Sequence, residues 1–288
     1  MHGSPLSGPT VSDADRLPHA ELTASIPRRT AERKDAEIFS IQQITPTVKL
    51  FRLCTSGGLL QFAPGQWVDF YAPNVPQVGG YSICSPPSQM LRCSTLDLAV
   101  KQSTYPPAIW LHEQERPGAK VKLQVGGDFF LSPTDLGHPL LFIAGGIGIT
   151  PIASMLAYLA DHEASVEDAE SEDSQGTEGV TAVLLYSAST LDELALREQL
   201  LHIAERMRGR LQVQFFATKE AERTESGKVY GRRINKDDVS AAFKALGQRN
   251  ASTAKVFLCG PPSMVDDVTD QLSSLGIAKD DVKYEKWW

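Results

Sequence analysis

From His138 onward, four near-continuous apolar runs recur: PLLFIA, TAVLLYSA, LQVQFFAT and KVFLCG. No other feature restricts the fold as much. A strand with one wet face alternates apolar and polar residues, whereas a run apolar at nearly every position is buried on both faces. Such strands need a helical layer on each side. Helical stretches do separate the runs: TPIASMLAYLADH, STLDELALREQLLHIAERM, NKDDVSAAFKALG and PSMVDDVTDQLSSLG. The second opens with Thr190 and Glu193, the spacing of a capping box, so a helix start is expected there. The alternation predicts βαβ units and a doubly wound parallel sheet over residues 136–288, with VKYEKWW as its last strand.

Residues 36–135 have a different texture. QWVDFYA alternates Trp67, Asp69 and Tyr71 against Val68 and Phe70. LDLAVK and KVKLQV each put three apolar residues on one face, and APGQ, SPP and ERPGAK punctuate the runs. This predicts an all-β domain, a small antiparallel barrel, with PPAIWLHEQ as a short helix over one end and Trp67 and Trp110 in the core. Residues 1–35, rich in Ser, Pro, Thr and Arg, are expected to be a disordered tail. Residues 163–179 carry many acids and no bases, as in a solvated loop; a docking surface for a partner is the alternative.

The net charge of −7 argues against a nucleic-acid surface, which needs clustered Lys and Arg. No apolar run reaches the length of a bilayer span, and the first twenty residues lack the apolar segment of a secretory signal. Cys54, Cys84, Cys93 and Cys259 form no C-x-x-C pair, and the histidines are scattered singly, so no metal spacing is present. A reduced, intracellular setting is expected.

Three motifs carry chemistry. In LLFIAGGIGITPIASML a buried strand runs into Gly145, Gly146 and Gly148, with Thr150 expected as helix N-cap and Pro151 as the first helical residue. A glycine turn ahead of a helix exposes backbone N–H groups and the positive end of the dipole, an anion site suited to a pyrophosphate; a plain strand-to-helix turn is the alternative. In VFLCGPPSM a strand delivers Cys259 to its carboxyl end, where Gly260 and Pro261 turn into the next helix carrying Met264. Ligands of open α/β sheets bind outside those strand ends, although a buried free cysteine commonly serves as a small hydrophobe. The third motif, Glu285-Lys286-Trp287-Trp288, places two indoles where they either cap the core or cover a flat cofactor.

Together these residues resemble the ferredoxin–NADP reductase superfamily, in which a flavin-binding barrel precedes a nicotinamide-binding domain. YSICSPP resembles the flavin-strand motif, GGIGITP the pyrophosphate turn and CGPPSM the nicotinamide loop; with YEKWW, the chain looks closest to the oxidoreductase NAD-binding domain-containing protein 1 family. The resemblance implies FAD and NAD or NADP as cofactors, and mitochondrion as well as cytoplasm as the setting. It implies that Tyr81 packs on the isoalloxazine and Ser82 hydrogen-bonds it, with Ile83 completing the motif. It implies that Ser187 and the glycine turn hold the dinucleotide, that Cys259 shapes the nicotinamide site, and that Glu285 moves protons near the flavin. Trp287 or Trp288 would be the stacking terminal aromatic.

Two positions depart from that pattern. The motif arginine that pairs with a flavin phosphate is replaced by Gly79, and the phosphate-binding helix start reads Pro106-Pro107-Ala108. Proline has no N–H to donate and alanine no hydroxyl. Lys101 is either a replacement cation or a solvated strand end. Two functions therefore stand. One is a flavin-dependent NAD(P)H oxidoreductase passing electrons to an unknown acceptor. The other is a flavin-free dinucleotide-binding sensor or scaffold. Asp192 and Glu193 after the second parallel strand, with no arginine in that turn, tilt the choice of dinucleotide toward NADH. Arg197, Lys219 and Arg223 could compensate, while Arg232 and Arg233 are either a solvated strand end or a partner contact.

Overall fold

In a computed structural model of the chain, the residues described are 19–23, 32–169, 181–220, 229–247 and 253–287. After a short helix α1 (His19–Leu22), the first half contains β1 (Lys34–Thr45), β2 (Val48–Thr55), β3 (Trp67–Tyr71), β4 (Gly79–Ser82), α2 (Pro87–Cys93), β5 (Thr95–Lys101), α3 (Pro106–His112) and β6 (Lys120–Gly126). The second half contains β7 (Leu140–Gly145), α4 (Ile149–Ala169), β8 (Ala182–Ala188), α5 (Arg197–Arg206), β9 (Leu211–Ala217), β10 (Val229–Tyr230), α6 (Lys236–Ala245), β11 (Lys255–Gly260), α7 (Pro262–Ser274) and β12 (Val282–Lys286).

The first six strands pair antiparallel in the order β4-β3-β6-β1-β2-β5. An antiparallel bridge from Ile83 to Leu98 joins the two outer strands and closes the sheet into a barrel. Closure removes exposed edges. It also turns Val68, Phe70, Ile83, Leu98 and Val125 into one buried core, with Trp110 of α3 packed over it. Trp67, expected in that core, is equally buried but lies on the opposite face of β3, against Gly126 and Gly127. The remaining strands form a wholly parallel sheet in the order β10-β9-β8-β7-β11-β12, as the continuous apolar runs require.

The two halves share a core. Val48, Cys84, Ala99, Phe129 and Leu131 of the barrel half cluster with Ile149, Ile152 and Met155 of α4 and with Phe142 and Cys259 of the sheet. Ser154 of α4, fully buried, donates to the Ser85 carbonyl at 2.7 Å. Gly65 lies so close to Met155 that a Cβ there would approach its methyl carbon to 2.3 Å. This packing sets where barrel residues stand over the carboxyl ends of the parallel strands.

Local expectations fail at several points. α4 starts at Ile149, so Thr150 is inside the helix, where its hydroxyl donates to the Ile147 carbonyl at 2.9 Å, and Pro151 is the third helical residue. The Gly146–Gly148 segment makes a 3₁₀ turn and takes up the helix start. Thr190 does not cap a helix by its side chain; Leu191–Glu193 is a 3₁₀ turn and α5 begins only at Arg197. The competitor is tertiary: Glu193 accepts hydrogen bonds from Thr47 Oγ1 at 2.6 Å and Thr45 Oγ1 at 3.4 Å in the barrel. α4 runs on through Ala169, so the first part of the acidic stretch is helical, with Glu163 paired to Arg210; residues 170–179 lie outside the described residues. The expected tail also contributes structure, since β1 begins at Lys34 and α1 docks on the barrel.

Candidate active site

The glycine turn is shaped by close approach of β11. A Cβ on Gly148 would stand 2.4 Å from the Cys259 carbonyl oxygen, and one on Gly145 2.3 Å from Met264 Sδ and 2.9 Å from Pro261 Cδ. Gly260 lies against Gly145 in the same way, with 3.3 Å to the Gly145 backbone. Gly146 has φ +54° and open space where a side chain would be. Both motifs thus meet at one point, the carboxyl ends of β7 and β11. A cleft of about 300 Å³ opens there, lined by Gly145, Gly146, Ser187, Pro261, Met264 and, from the barrel, Lys101. It continues past Ser189 and Thr218 to Arg233. Arg233 and Thr218 were not among the expected site residues; Arg233 stood in a GRRI stretch readable as a solvated strand end or a partner contact. Thr150, buried at the helix start, does not line the cleft.

On the far side of the turn, β11 and β12 pair Cys259 with Glu285. The Trp287 indole N–H donates to Glu285 Oε2 at 2.9 Å, and the Trp287 backbone N–H to the Gly260 carbonyl at 3.0 Å. Burial pushes the Glu285 carboxyl up to about 8, with the Trp287 N–H pulling it back and Asp128 raising it further. A carboxyl of this kind holds its proton at neutral pH and exchanges it close to the working range. Burial, and then the neighbouring Glu285, push the Cys259 thiol well above its ordinary value, so the thiol, fully buried in the shared core, stays neutral and is not a nucleophile. Trp288 lies outside the described residues.

The flavin strand β4 gives a divided result. Among the described residues, the Tyr81 hydroxyl and the Ser82 hydroxyl are both buried with no hydrogen-bond partner, an uncommon state for buried polar groups. Ile83 is different: its side chain belongs wholly to the barrel core and its N–H is bonded to the Gln66 carbonyl, so its side chain is no part of a ligand wall. The phosphate end does not fit. A Cβ at Gly79 would meet the Tyr81 ring at 2.6 Å and Pro107 Cβ at 3.0 Å, so the space of the missing arginine is filled. The first α3 amides with hydrogens, those of Ala108 and Ile109, are already bonded to the Tyr105 carbonyl. Tyr81 and Ser82 thus carry the unpartnered hydroxyls of β4, while position 79 has no room for a side chain and the first α3 amides are taken.

β4 also carries an occupant that sequence reasoning missed. The His19 ring fills the notch left by Gly80, where a Cβ would come within 2.0 Å of Nδ1. It meets Trp67 edge-on at 4.8 Å, and its Nε2 is 2.9 Å from Oδ1 of buried Asp69. A lone histidine in a Ser- and Pro-rich stretch gives no sequence signal for this contact.

A closed antiparallel barrel joined to a parallel sheet, with a glycine turn over a cleft at the strand ends, defines a reductase-type fold of the ferredoxin reductase class. The FAD/NAD-binding domain of nitric oxide dioxygenase from Vibrio cholerae superposes with a TM-score of 0.69 at 19% identity, over 88% of this chain and 98% of that one. A ferredoxin NADP+ reductase from Neisseria gonorrhoeae gives 0.68 at 20% identity, over 90% and 100%. The family model for the oxidoreductase NAD-binding domain matches residues 142–270. Oxidoreductase NAD-binding domain-containing protein 1 of Xenopus laevis is 33% identical over 96% of this chain and 86% of its own length, and the Homo sapiens protein is 32% identical over 94% and 84%. The chain belongs to the oxidoreductase NAD-binding domain-containing protein 1 family.

No described helix is long and apolar enough to cross a membrane.

Proposed function

We propose that this chain is an NAD(P)H-dependent oxidoreductase that binds a nicotinamide dinucleotide across the glycine turn and uses a flavin gripped only at its ring end, with a separate electron acceptor. The observation that carries the reading is the meeting of the glycine turn with the Cys259–Glu285–Trp287 group. The turn amides and Lys101 would hold the dinucleotide diphosphate. Cys259 offers a small neutral wall to an uncharged ring, Glu285 keeps a proton close to the reacting edge, and Trp287 shields that carboxyl from water. A bound flavin would supply the exchange between hydride and single electrons. Tyr81 and Ser82 would orient it.

The filled space at Gly79 and the occupied amides of α3 favour a second reading, a flavin-free dinucleotide-binding protein. Titration of the purified chain with FAD and with riboflavin separates the two. An Arg–phosphate contact contributes about 1.5–3 kcal/mol, about tenfold to over a hundredfold in affinity, where it exists. Without that contact, FAD and riboflavin are expected to bind within about threefold of each other, and the yellow absorbance to bleach anaerobically with NADH or NADPH. Tight FAD binding with far weaker riboflavin binding contradicts the ring-only grip. Binding of dinucleotide with neither flavin establishes the second reading.

His19 of α1 packs against the same strand, β4, so His19→Ala is expected to raise flavin affinity by about tenfold, the worth of the hydrogen bond that otherwise has to be displaced. Unchanged flavin affinity in that variant refutes a competition between α1 and the ring.

A further inference from the structure

Resting on the dinucleotide site proposed above, we infer that the cleft selects NADPH over NADH, and that Arg233 is the residue that reads the 2′-phosphate. Along the carboxyl ends of the strands, the glycine turn follows β7, and the cleft runs from there past β8 and β9 toward the segment after β10. A dinucleotide with its diphosphate on the glycine turn and its nicotinamide toward Cys259 therefore sends its adenosine toward Thr218 and Arg233. Selectivity is decided by the charge at that end: a carboxylate there chelates free ribose hydroxyls, and a cation there accepts a phosphate.

Two described carboxylates near the ends of β8 and β9, Glu193 and Glu220, have partners of their own. Glu193 accepts from Thr47 and Thr45 of the barrel and lines a small pocket that adjoins the cleft at Gly146 and Ser189. Glu220 Oε1 accepts from the Leu191 amide at 2.9 Å. Among the described residues, neither these two nor Asp192 lines the cleft, and the one carboxylate that does, Asp267, comes from α7.

Arg233, by contrast, projects from an anchored turn. Its neighbour Arg232 makes two hydrogen bonds to Asp238, at 2.5 and 2.7 Å, lies over the Tyr230 and Phe216 rings, and donates to the Arg233 carbonyl at 3.1 Å. Asp238 in turn closes the capping box of α6 with Asn235. The paired arginines divide the work: Arg232 holds the backbone, and among the described residues no partner takes the exposed Arg233 side chain. A guanidinium on a held backbone loses less freedom when it grips a phosphate in two-point fashion.

Calorimetric binding to the purified full chain tests this with NADP⁺, NAD⁺, 2′,5′-ADP and 5′-AMP. NADP⁺ is expected to bind at least about tenfold more tightly than NAD⁺, and 2′,5′-ADP more tightly than 5′-AMP by a similar factor. Arg233→Ala is expected to lose about tenfold on both 2′-phosphorylated ligands and to leave NAD⁺ within about twofold, which also reports an intact fold. Arg233→Lys should recover part of the loss. Lys101→Ala should weaken NADP⁺ and NAD⁺ alike. Equal or tighter NAD⁺ binding in the wild type, or an equal loss on both dinucleotides in Arg233→Ala, overturns the inference. Failure of every dinucleotide to bind defeats the parent reading instead.

Discussion

Alanine at position 148 is expected to abolish dinucleotide binding and to cost the fold about 2–3 kcal/mol, the upper range for forced overpacking. The added Cβ would stand 2.4 Å from the Cys259 oxygen, 2.6 Å from its carbonyl carbon and 2.9 Å from the Gly260 nitrogen. All three are backbone atoms of β11, which is paired on both sides, to β7 and to β12. A side chain could rotate away, but a central strand cannot shift without breaking its ladders. The turn would have to move instead, and its amides would leave the cleft. Gly146→Ala is the control for stability. Its Cβ meets nothing of the protein within 4 Å, and its folding penalty is the left-handed backbone at φ +54°, about 1 kcal/mol. Urea unfolding and NADP⁺ calorimetry of both variants check this. A Gly148→Ala protein with the wild-type midpoint and affinity would show that β11 yields.

Stability is expected to fall by about 2–3 kcal/mol between pH 5 and pH 8.5, and Glu285→Gln to flatten that slope. The carboxyl titrates at 4.5 when free and at about 8 in the fold, chiefly through burial. Between those values the folded chain binds more protons than the unfolded one, so raising the pH favours unfolding. The contribution is complete below 4.5 and is lost as the pH rises through about 8. Partial contact of Glu285 with solvent keeps the loss below the full product of shift and 1.36 kcal/mol per unit. Glutamine keeps the acceptor for the Trp287 N–H and cannot ionise. Urea midpoints at pH 5.5, 7.0 and 8.5 decide the matter: equal slopes in wild type and variant rule out Glu285 as the titrating group. The same ionisation should appear in the pH dependence of anaerobic flavin reduction, as an inflection that Glu285→Gln removes.

Much of this architecture was legible from local chemistry. Apolar runs such as Leu140–Ala144 and Ala182–Tyr186 have no wet face, and this alone forces a parallel sheet between helices. Gly145 and Gly148 marked the turn because only residues without side chains tolerate the approach of β11. The errors have a common origin. Glu193 reads as a helix cap, yet its oxygen finds two threonine hydroxyls in the other domain. Thr150 reads as an N-cap, yet the preceding 3₁₀ turn makes it a donor to Ile147. His19 reads as tail, yet a glycine notch and a buried aspartate receive it.

The two domain types, their order and the glycine turn are written in the residue pattern, because each depends on periodicity and backbone freedom within a short stretch. Which charges face the cleft, that two hydroxyls of β4 are buried without a partner among the described residues, and that burial lifts the Glu285 carboxyl to about 8 depend on the folded chain. Hydrogen-bond partners and burial are set by residues distant in the chain, and no local pattern encodes which of them will arrive.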